Sequence, residues 1–161
     1  MAATLVLGVG NILLSDEGFG VRVAEALLKR FRFPAGVEVL DGGTLGMELM
    51  RFLEGVQRLI LIDAVHVQNA EPGSFHELRG DSVRLYFRRK VSLHELGIQE
   101  VLASLEVMEK PIREIVVFGV EPVSLEIGLD LTAPVAARVD EAAEKVVMQL
   151  AAWNVPCGRA N

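Results

Sequence analysis

Four short apolar segments constrain the fold of this 161-residue chain more than any other feature. Three of them are nearly continuous in Leu, Ile and Val, whereas Glu38 interrupts the remaining one. Continuous apolar segments of this length are typical of strands covered on both faces, as in a parallel sheet between helices. The predicted strands are therefore Thr4 to Val9, Val37 to Leu40, Arg58 to Ile62 and Glu114 to Val120.

Apolar residues recur at helical spacing between and after these strands. Thr132 and Pro134 occupy positions typical of a helix cap and of a first-turn proline. The predicted helices are Gly20 to Phe31, Leu45 to Leu53, about Leu93 to Glu106 and about Pro134 to Trp153.

The alternation of strands and helices predicts an α/β fold consisting of a single doubly wound domain. We expect a mainly parallel sheet with helices on both faces, and an inserted excursion between Asp63 and Ser92, before the third helix. Within this excursion, Ser74 to Leu78 and Arg84 to Phe87 are predicted to add a pair of strands. The domain is expected to span residues 1–153, followed by a C-terminal tail at residues 154–161.

Composition narrows the functional classes. The chain is 51% hydrophobic and is expected to fold, yet no apolar run approaches the roughly 20 residues that a membrane span needs. The net charge of −6 disfavours nucleic acid as a partner, because an acidic chain repels phosphate backbones. The lone cysteine, Cys157, cannot form an internal disulfide, so we expect a cytoplasmic protein.

The ends of the first and third predicted strands carry the most informative residues. In an open parallel sheet, ligands bind beyond the carboxyl ends of the strands, where the winding direction reverses. That position lies between these two strands if the first strand is flanked by the second and the third. The first strand leads to Asp16 and Glu17, and the third ends at Asp63. Carboxylates that meet there need a cation, or one of them must stay protonated.

Other interpretations of these residues remain open. The glycine-rich turn after the first strand suggests a dinucleotide site, but Leu13 replaces the third glycine of that motif. Asp16 and Glu17 would also repel a pyrophosphate at the helix entrance. Alternatively, acids there stabilise the first turn of a helix by about 0.3–1 kcal/mol. Asp63 alone would suit a cap or a turn.

A histidine adds to the predicted site. Ser92 and Glu95 form a capping-box pattern that starts the third predicted helix and places His94 in its first turn. The helix dipole there favours the neutral imidazole, which is the form that binds a metal. Two carboxylates and an imidazole suit a borderline divalent ion such as Ni, Mn, Fe or Zn. His66 is the competing ligand, since it follows Asp63 by three residues.

Two glycine-containing turns follow other strands of the predicted sheet. Asp41-Gly42-Gly43-Thr44 comes after the second strand, and Gly119-Val120-Glu121-Pro122 after the last. Glycine permits positive φ and the close approach of another backbone. Each segment is therefore either a plain turn or part of a groove that binds a peptide.

Six segments, in order along the chain, form a combined pattern: Gly8-Val9-Gly10-Asn11 with Asp16-Glu17-Gly18 and Gly20-Val21, Asp41-Gly42-Gly43-Thr44-Leu45-Gly46-Met47-Glu48-Leu49, Ile62-Asp63-Ala64-Val65, Ser92-Leu93-His94, Phe118-Gly119-Val120-Glu121-Pro122, and Gly128-Leu129-Asp130-Leu131-Thr132-Ala133-Pro134-Val135. This set resembles the hydrogenase maturation proteases, the endopeptidases that process the large subunit of nickel–iron hydrogenases. The resemblance covers nearly the whole chain, and the order and spacing of the segments make it specific.

The resemblance implies that Glu17, Asp63 and His94 occupy the metal-binding positions of the family. It also implies that the enzyme recognises a nickel ion already inserted in the large-subunit precursor, so that the substrate supplies the metal. A short C-terminal peptide is then removed from that precursor. Asp41-Gly42-Gly43-Thr44 matches a family motif near the substrate cleft, and Asp16 matches the acidic partner of the glutamate.

The expected mechanism is metal-dependent peptide hydrolysis. No serine lies in a Gly-x-Ser-x-Gly elbow, and the lone cysteine is not near a crevice residue. Glu17, Asp63 and His94 would complete the coordination of the nickel, which would then position the scissile bond. Asp16 is the candidate general base. A precursor without nickel would be spared, because selectivity requires a difference in affinity between the two forms.

Two alternatives come from other classes of protein. Carboxylates after the first and third strands also suit a phosphoacceptor receiver-like signalling domain, although the late strand lacks the lysine that such a domain needs. The other alternative is a nickel-binding delivery protein without peptidase activity.

Overall fold

Strands and helices alternate along the part of the chain that the computed structural model describes, which is residues 3–43, 47–83, 109 and 111–160. The strands are β1 (Thr4–Val9), β2 (Phe31–Arg32), β3 (Val37–Gly43), β4 (Arg58–Ala64), β5 (Phe75–Arg79), β6 (Glu114–Val120) and β7 (Gly158–Arg159). The α-helices are α1 (Phe19–Arg30), α2 (Met50–Leu53), α3 (Ala133–Ala136) and α4 (Val139–Ala152). Single 3₁₀ turns at Ser15–Gly18 and Met47–Leu49 precede α1 and α2.

The main sheet has the strand order β3-β1-β4-β6-β5. Strands β3, β1, β4 and β6 are parallel, and β5 pairs antiparallel with β6 at the edge. The first strand is therefore flanked by the second and third predicted strands, so the winding reverses between β1 and β4. The prediction of a doubly wound, mainly parallel α/β domain is confirmed.

Both faces of the central strands β1, β4 and β6 are buried, which explains why these strands are nearly continuously apolar. On one face, Val6, Ile60 and Phe118 pack in a cluster with residues of α1 and α4. On the other face, Leu7 and Leu61 pack with residues around α2. Because successive side chains of a strand point to opposite faces, most positions of a doubly covered strand are apolar.

Helix α1 lies directly on the backbones of β1 and β4 at their carboxyl ends. A methyl group at Gly20 would collide with the carbonyl oxygens of Ile62 and Val9. One at Gly8 would collide with the carbonyl oxygen of Gly20. The residues just before α1 are consequently held at the edge where β1 and β4 end.

Several predicted elements differ from the observed ones. The second helix is reduced to the 3₁₀ turn Met47–Leu49 followed by α2, with residues 44–46 outside the described part. The predicted strand from Ser74 to Leu78 is β5, which begins and ends one residue later. Its predicted partner, Arg84 to Phe87, and the third helix lie outside the described residues.

The predicted single last helix is wrong, because it divides into α3 and α4 at residues 137–138. The amide of Arg138 donates to the carbonyl of Val135, three residues earlier, which interrupts the α-helical ladder. The Arg138 guanidinium donates to the carbonyl of Gly73 at 3.0 Å and also pairs with Glu141. This link ties the break in the helix to the segment before β5.

The C-terminal residues contact the domain through a short antiparallel pair of strands, β2 and β7. The Ala160 amide donates to the carbonyl of Arg30 at 2.8 Å, and the guanidinium of Arg159 lies over the ring of Phe31. This pair leaves no sign in the sequence, since two residues are too few to show a period. Among the described residues, none of the helices combines the length and apolar character needed to cross a membrane.

Candidate active site

Three of the predicted site segments contact one another at Gly10. Its amide donates to the carbonyl of Gly43 at 3.0 Å. A methyl group on Gly10 would collide with the backbone carbonyl of Glu17 and would lie 3.7 Å from Oδ1 of Asp63. The φ angle of Gly10 is +133°, a value that side chains disfavour. The structure thus brings the backbone of Glu17, the side chain of Asp63 and the end of β3 together at Gly10.

Glu17 and Asp63 are both buried at this place. Glu17 lies in the 3₁₀ turn before α1 and is 8% exposed. Asp63 is the penultimate residue of β4, is fully buried, and its Oδ1 accepts a hydrogen bond from the Ala64 amide at 2.8 Å. Burying a carboxylate is costly unless it is paired or hydrogen-bonded, and the Ala64 amide provides one such hydrogen bond to Asp63.

Asp16 is fully buried, and its carboxylate accepts hydrogen bonds from the loop between β6 and α3. Oδ2 accepts from the amides of Val123 and Ser124 at 2.9 and 3.0 Å. Oδ1 accepts from the amide of Thr132 at 2.8 Å, and the Thr132 hydroxyl lies 2.9 Å from Oδ2. This carboxylate therefore fastens the loop, residues 121–132, beside Glu17.

The segment after the second predicted strand is partly within β3. Oδ1 of Asp41, an exposed residue, accepts a hydrogen bond from the amide of Gly43 at 2.9 Å. Gly43 has a φ of +47°, and the register of β3 with β1 shifts between Gly8 and Val9. These features turn the chain toward Gly10. Thr44 lies outside the described residues.

Of the two candidate histidines, only His66 lies within the described residues. His66 is largely exposed, and its Nδ1 lies 2.8 Å from Oε1 of Glu121. The other carboxylate oxygen of Glu121 accepts a hydrogen bond from the Val67 amide at 3.2 Å. The structure therefore joins His66 to the end of β6. His94 lies outside the described residues. Within the ranges that are described, no three His, Cys, Asp or Glu side chains come together to form a metal site.

Three residues of the site have roles that the sequence does not reveal. Gly10 lies in a glycine-rich turn, and spacing alone does not show that three segments meet there. Glu121 lies in a segment that the sequence identifies only as a turn or part of a groove. Thr132 precedes α3 as predicted for a cap, but its hydroxyl bonds Asp16 and makes no cap hydrogen bond.

Comparison with known proteins agrees with this architecture. The HycI hydrogenase maturation protease family matches residues 21–149. The chain is 43% identical over 146 residues to a hydrogenase 2 maturation protease of Escherichia coli (strain K12), covering 91% of this chain and 89% of the relative. It is 40% identical over 157 residues to a hydrogenase expression/formation protein HupD of Bradyrhizobium diazoefficiens, covering 96% of this chain and 81% of the relative.

Solved structures give the same result. The hydrogenase maturating endopeptidase HybD from Escherichia coli superposes with a TM-score of 0.92 at 41% identity, over 99% of this chain and 98% of that one. A [NiFe] hydrogenase maturation protease HybD from Thermococcus kodakarensis superposes with a TM-score of 0.75 at 26% identity, over 92% and 99% of the two chains.

The fold and the family match thus identify the chain as a hydrolase. More narrowly, the chain belongs to the hydrogenase maturation protease family and is a maturation endopeptidase. The signalling-domain and delivery-protein alternatives are set aside.

Proposed function

We propose that the protein removes a C-terminal peptide from the nickel-loaded precursor of a nickel–iron hydrogenase large subunit, and that it recognises the precursor through its nickel ion. The observation that supports this proposal is that Glu17 and Asp63 are both buried, and that the backbone carbonyl of Glu17 and Oδ1 of Asp63 flank Gly10 in a member of this family. The names of the relatives support the substrate class, since they are maturation proteases of hydrogenases.

The donor set fits a metal ion that arrives with the substrate. Carboxylate and imidazole ligands suit borderline divalent ions, which include nickel. Glu17 and Asp63 supply the carboxylates, and we assign the imidazole to His94 rather than to His66, because Glu121 already engages His66. Since the protein offers only part of a coordination shell, tight binding needs the ligands of the precursor as well. Nickel-free precursor then binds less well, which provides the selectivity.

Asp16 has a different part in the proposal from the general base suggested by the sequence. Its carboxylate is fully buried and is engaged by donors from Val123, Ser124 and Thr132. Accepting a proton from water would require these contacts to break. We therefore assign Asp16 to positioning, since it fixes the loop that borders Glu17. The segment from Asp41 to Gly43 remains the proposed lining of the substrate cleft, because it contacts Gly10.

We place this processing in the cytoplasm. The chain has a single cysteine, Cys157, and so cannot use internal disulfides, as is usual in a reducing compartment.

The test uses the purified large-subunit precursor with and without nickel, and mass spectrometry to detect shortening. Wild-type protein should cleave only the nickel-loaded form, and Glu17→Gln, Asp63→Asn and His94→Ala should each lose about 100-fold or more in rate. Glu38→Gln, at an exposed position of β3, is the matched control for removing a carboxylate. Equal cleavage without nickel, or full activity in all three site variants, would overturn the proposal.

A further inference from the structure

An exposed apolar surface borders the candidate site. It consists of five residues, which we call the apolar loop surface: Leu13, Val123, Leu125, Ile127 and Leu129. Ile127 is 92% exposed, and the other four are between 45% and 58% exposed. Single exposed apolar side chains are ordinary, but a group of them on two bonded segments indicates a binding surface.

The loop that carries these side chains is held by its backbone. The amides of Ser15 and Gly128 donate to the carbonyls of Gly128 and Leu13, respectively, both at 2.9 Å. The Ser15 hydroxyl donates to the carbonyl of Glu126, and the Arg22 guanidinium donates to that of Leu129. Because these bonds fix the loop backbone, the loop need not become ordered when a partner binds, which lowers the entropic cost of binding.

This surface is continuous with the catalytic edge of the sheet. Asp16 bonds the loop at Val123 and Ser124, and Glu17 is the next residue along the chain. A protein that places its cleavage site at Glu17 and Asp63 must therefore pass over or beside the apolar loop surface.

The charge of the loop indicates which kind of partner would bind to it. Glu126 and Asp130 are exposed on the same loop, between and after the apolar side chains. The whole chain carries a net charge of −6. Opposite charge around an apolar contact speeds association and suppresses wrong partners.

We propose that the apolar loop surface docks the hydrogenase large-subunit precursor, through a segment of that protein with apolar side chains flanked by Lys or Arg. This inference rests on the proposed function, because it takes the precursor as substrate. It separates binding, which the loop provides, from bond cleavage, which the buried carboxylates provide.

The test compares Ile127→Asp with Met148→Asp. Met148 is 62% exposed on α4, outside the loop, and serves as the matched control for adding a charge to an exposed apolar site. With nickel-loaded precursor, Ile127→Asp should raise KM about tenfold with little change in kcat, and Met148→Asp should leave both at wild-type values. Glu126→Lys should raise KM in the same direction.

A binding measurement keeps this proposal separate from the previous one. In the Glu17→Gln protein, whose cleavage is slowed about 100-fold and whose own affinity for the precursor is the reference, adding Ile127→Asp should weaken precursor binding about tenfold further. Failure of the wild-type protein to cleave would count against the proposed function. Cleavage with an unchanged KM in Ile127→Asp, an equal change in Met148→Asp, or loss only of self-association in sedimentation would overturn the docking surface.

Discussion

The hydroxyl of Thr132 lies 2.9 Å from the carboxylate of Asp16, a residue 116 positions earlier in the chain. The amides of Val123 and Ser124 also donate hydrogen bonds to this carboxylate. Together these contacts join the 3₁₀ turn before α1 to the loop before α3. A buried carboxylate thus holds together two segments that border the same edge of the sheet.

Substitutions that remove these hydrogen bonds should lower the stability of the protein, and the loss should be larger when more bonds are removed. Thr132→Val deletes the hydroxyl donor but keeps the backbone amide, and should cost about 1.5–3 kcal/mol because the acceptor is charged. Asp16→Asn leaves several buried donors poorly paired and should cost more, about 3 kcal/mol or above. Urea unfolding followed by circular dichroism measures both. An unchanged unfolding midpoint for Asp16→Asn would show that the carboxylate does not hold the loop.

Gly10→Ala should disrupt the site by steric collision. The new methyl group meets the Glu17 carbonyl, and the backbone has a φ that alanine disfavours. Gly36→Ala is the matched control, since Gly36 also has positive φ but no atom within 4 Å of the position that a methyl group would take. Gly36→Ala should cost only about 1 kcal/mol, whereas Gly10→Ala should lower stability further and abolish cleavage. Equal losses of stability and retained cleavage in both variants would contradict this.

His66→Ala should leave processing nearly unchanged. The side chain is 76% exposed and bonds Glu121, so its loss leaves the Val67 contact of Glu121 in place. We expect a rate within about twofold of wild type, against a loss of about 100-fold for His94→Ala. Precursor cleavage assayed by mass spectrometry separates the two. A similar loss in both variants would place His66 among the metal ligands.

Deleting residues 158–161 should lower stability by about 1 kcal/mol, because it removes the two-residue strand pair and the Ala160 hydrogen bond. Arg159→Ala is the milder comparison. It removes the contact with Phe31 and an exposed pair with Glu144, and should cost about 0.5 kcal/mol. Calorimetric unfolding compares the variants, and an unchanged midpoint after the deletion would contradict the expectation.

The thiol of Cys157 should react slowly at neutral pH. Burial raises the pKa of this thiol, and the nearby Arg159 only partly opposes the effect. Since the thiolate is the nucleophile, alkylation in the folded protein should need a higher pH than in the same chain unfolded by urea. Iodoacetamide labelling across about pH 7 to 10 spans the ordinary thiol pKa of about 8.5. Coincident pH profiles for the folded and unfolded chains would contradict this.

Strand positions were predictable because the sheet is covered on both faces. For β1 and β6 the apolar run coincides with the observed strand. The sequence also predicts that the segments of Glu17 and Asp63 lie at one edge, since the carboxyl ends of neighbouring parallel strands meet there, and both residues lie near Gly10. His94, by contrast, lies outside the described residues, so its place in the site stays a prediction.

The contacts of Asp16 could not be predicted in the same way. Its partners are mostly backbone amides, which every residue but proline carries, so no residue type marks them in the sequence. The break between α3 and α4 has a similar origin, because Arg138 is bonded to the distant Gly73. The spacing of apolar residues along a sequence indicates local secondary structure and burial. Polar contacts between distant parts of the chain produce no such spacing, so they cannot be predicted from it.

The glycines at positions 8 and 20 have a consequence for how this scaffold can change. At these two positions the backbone of α1 contacts the backbones of β1 and β4 directly, with no side chain between helix and sheet. Most packed helices can shift slightly when interfacial side chains repack, but at Gly8 and Gly20 there is no side chain to repack. New substrate preferences should therefore arise by exchanging residues of the loop at 121–132. The segments that carry Glu17 and Asp63 should keep their spacing.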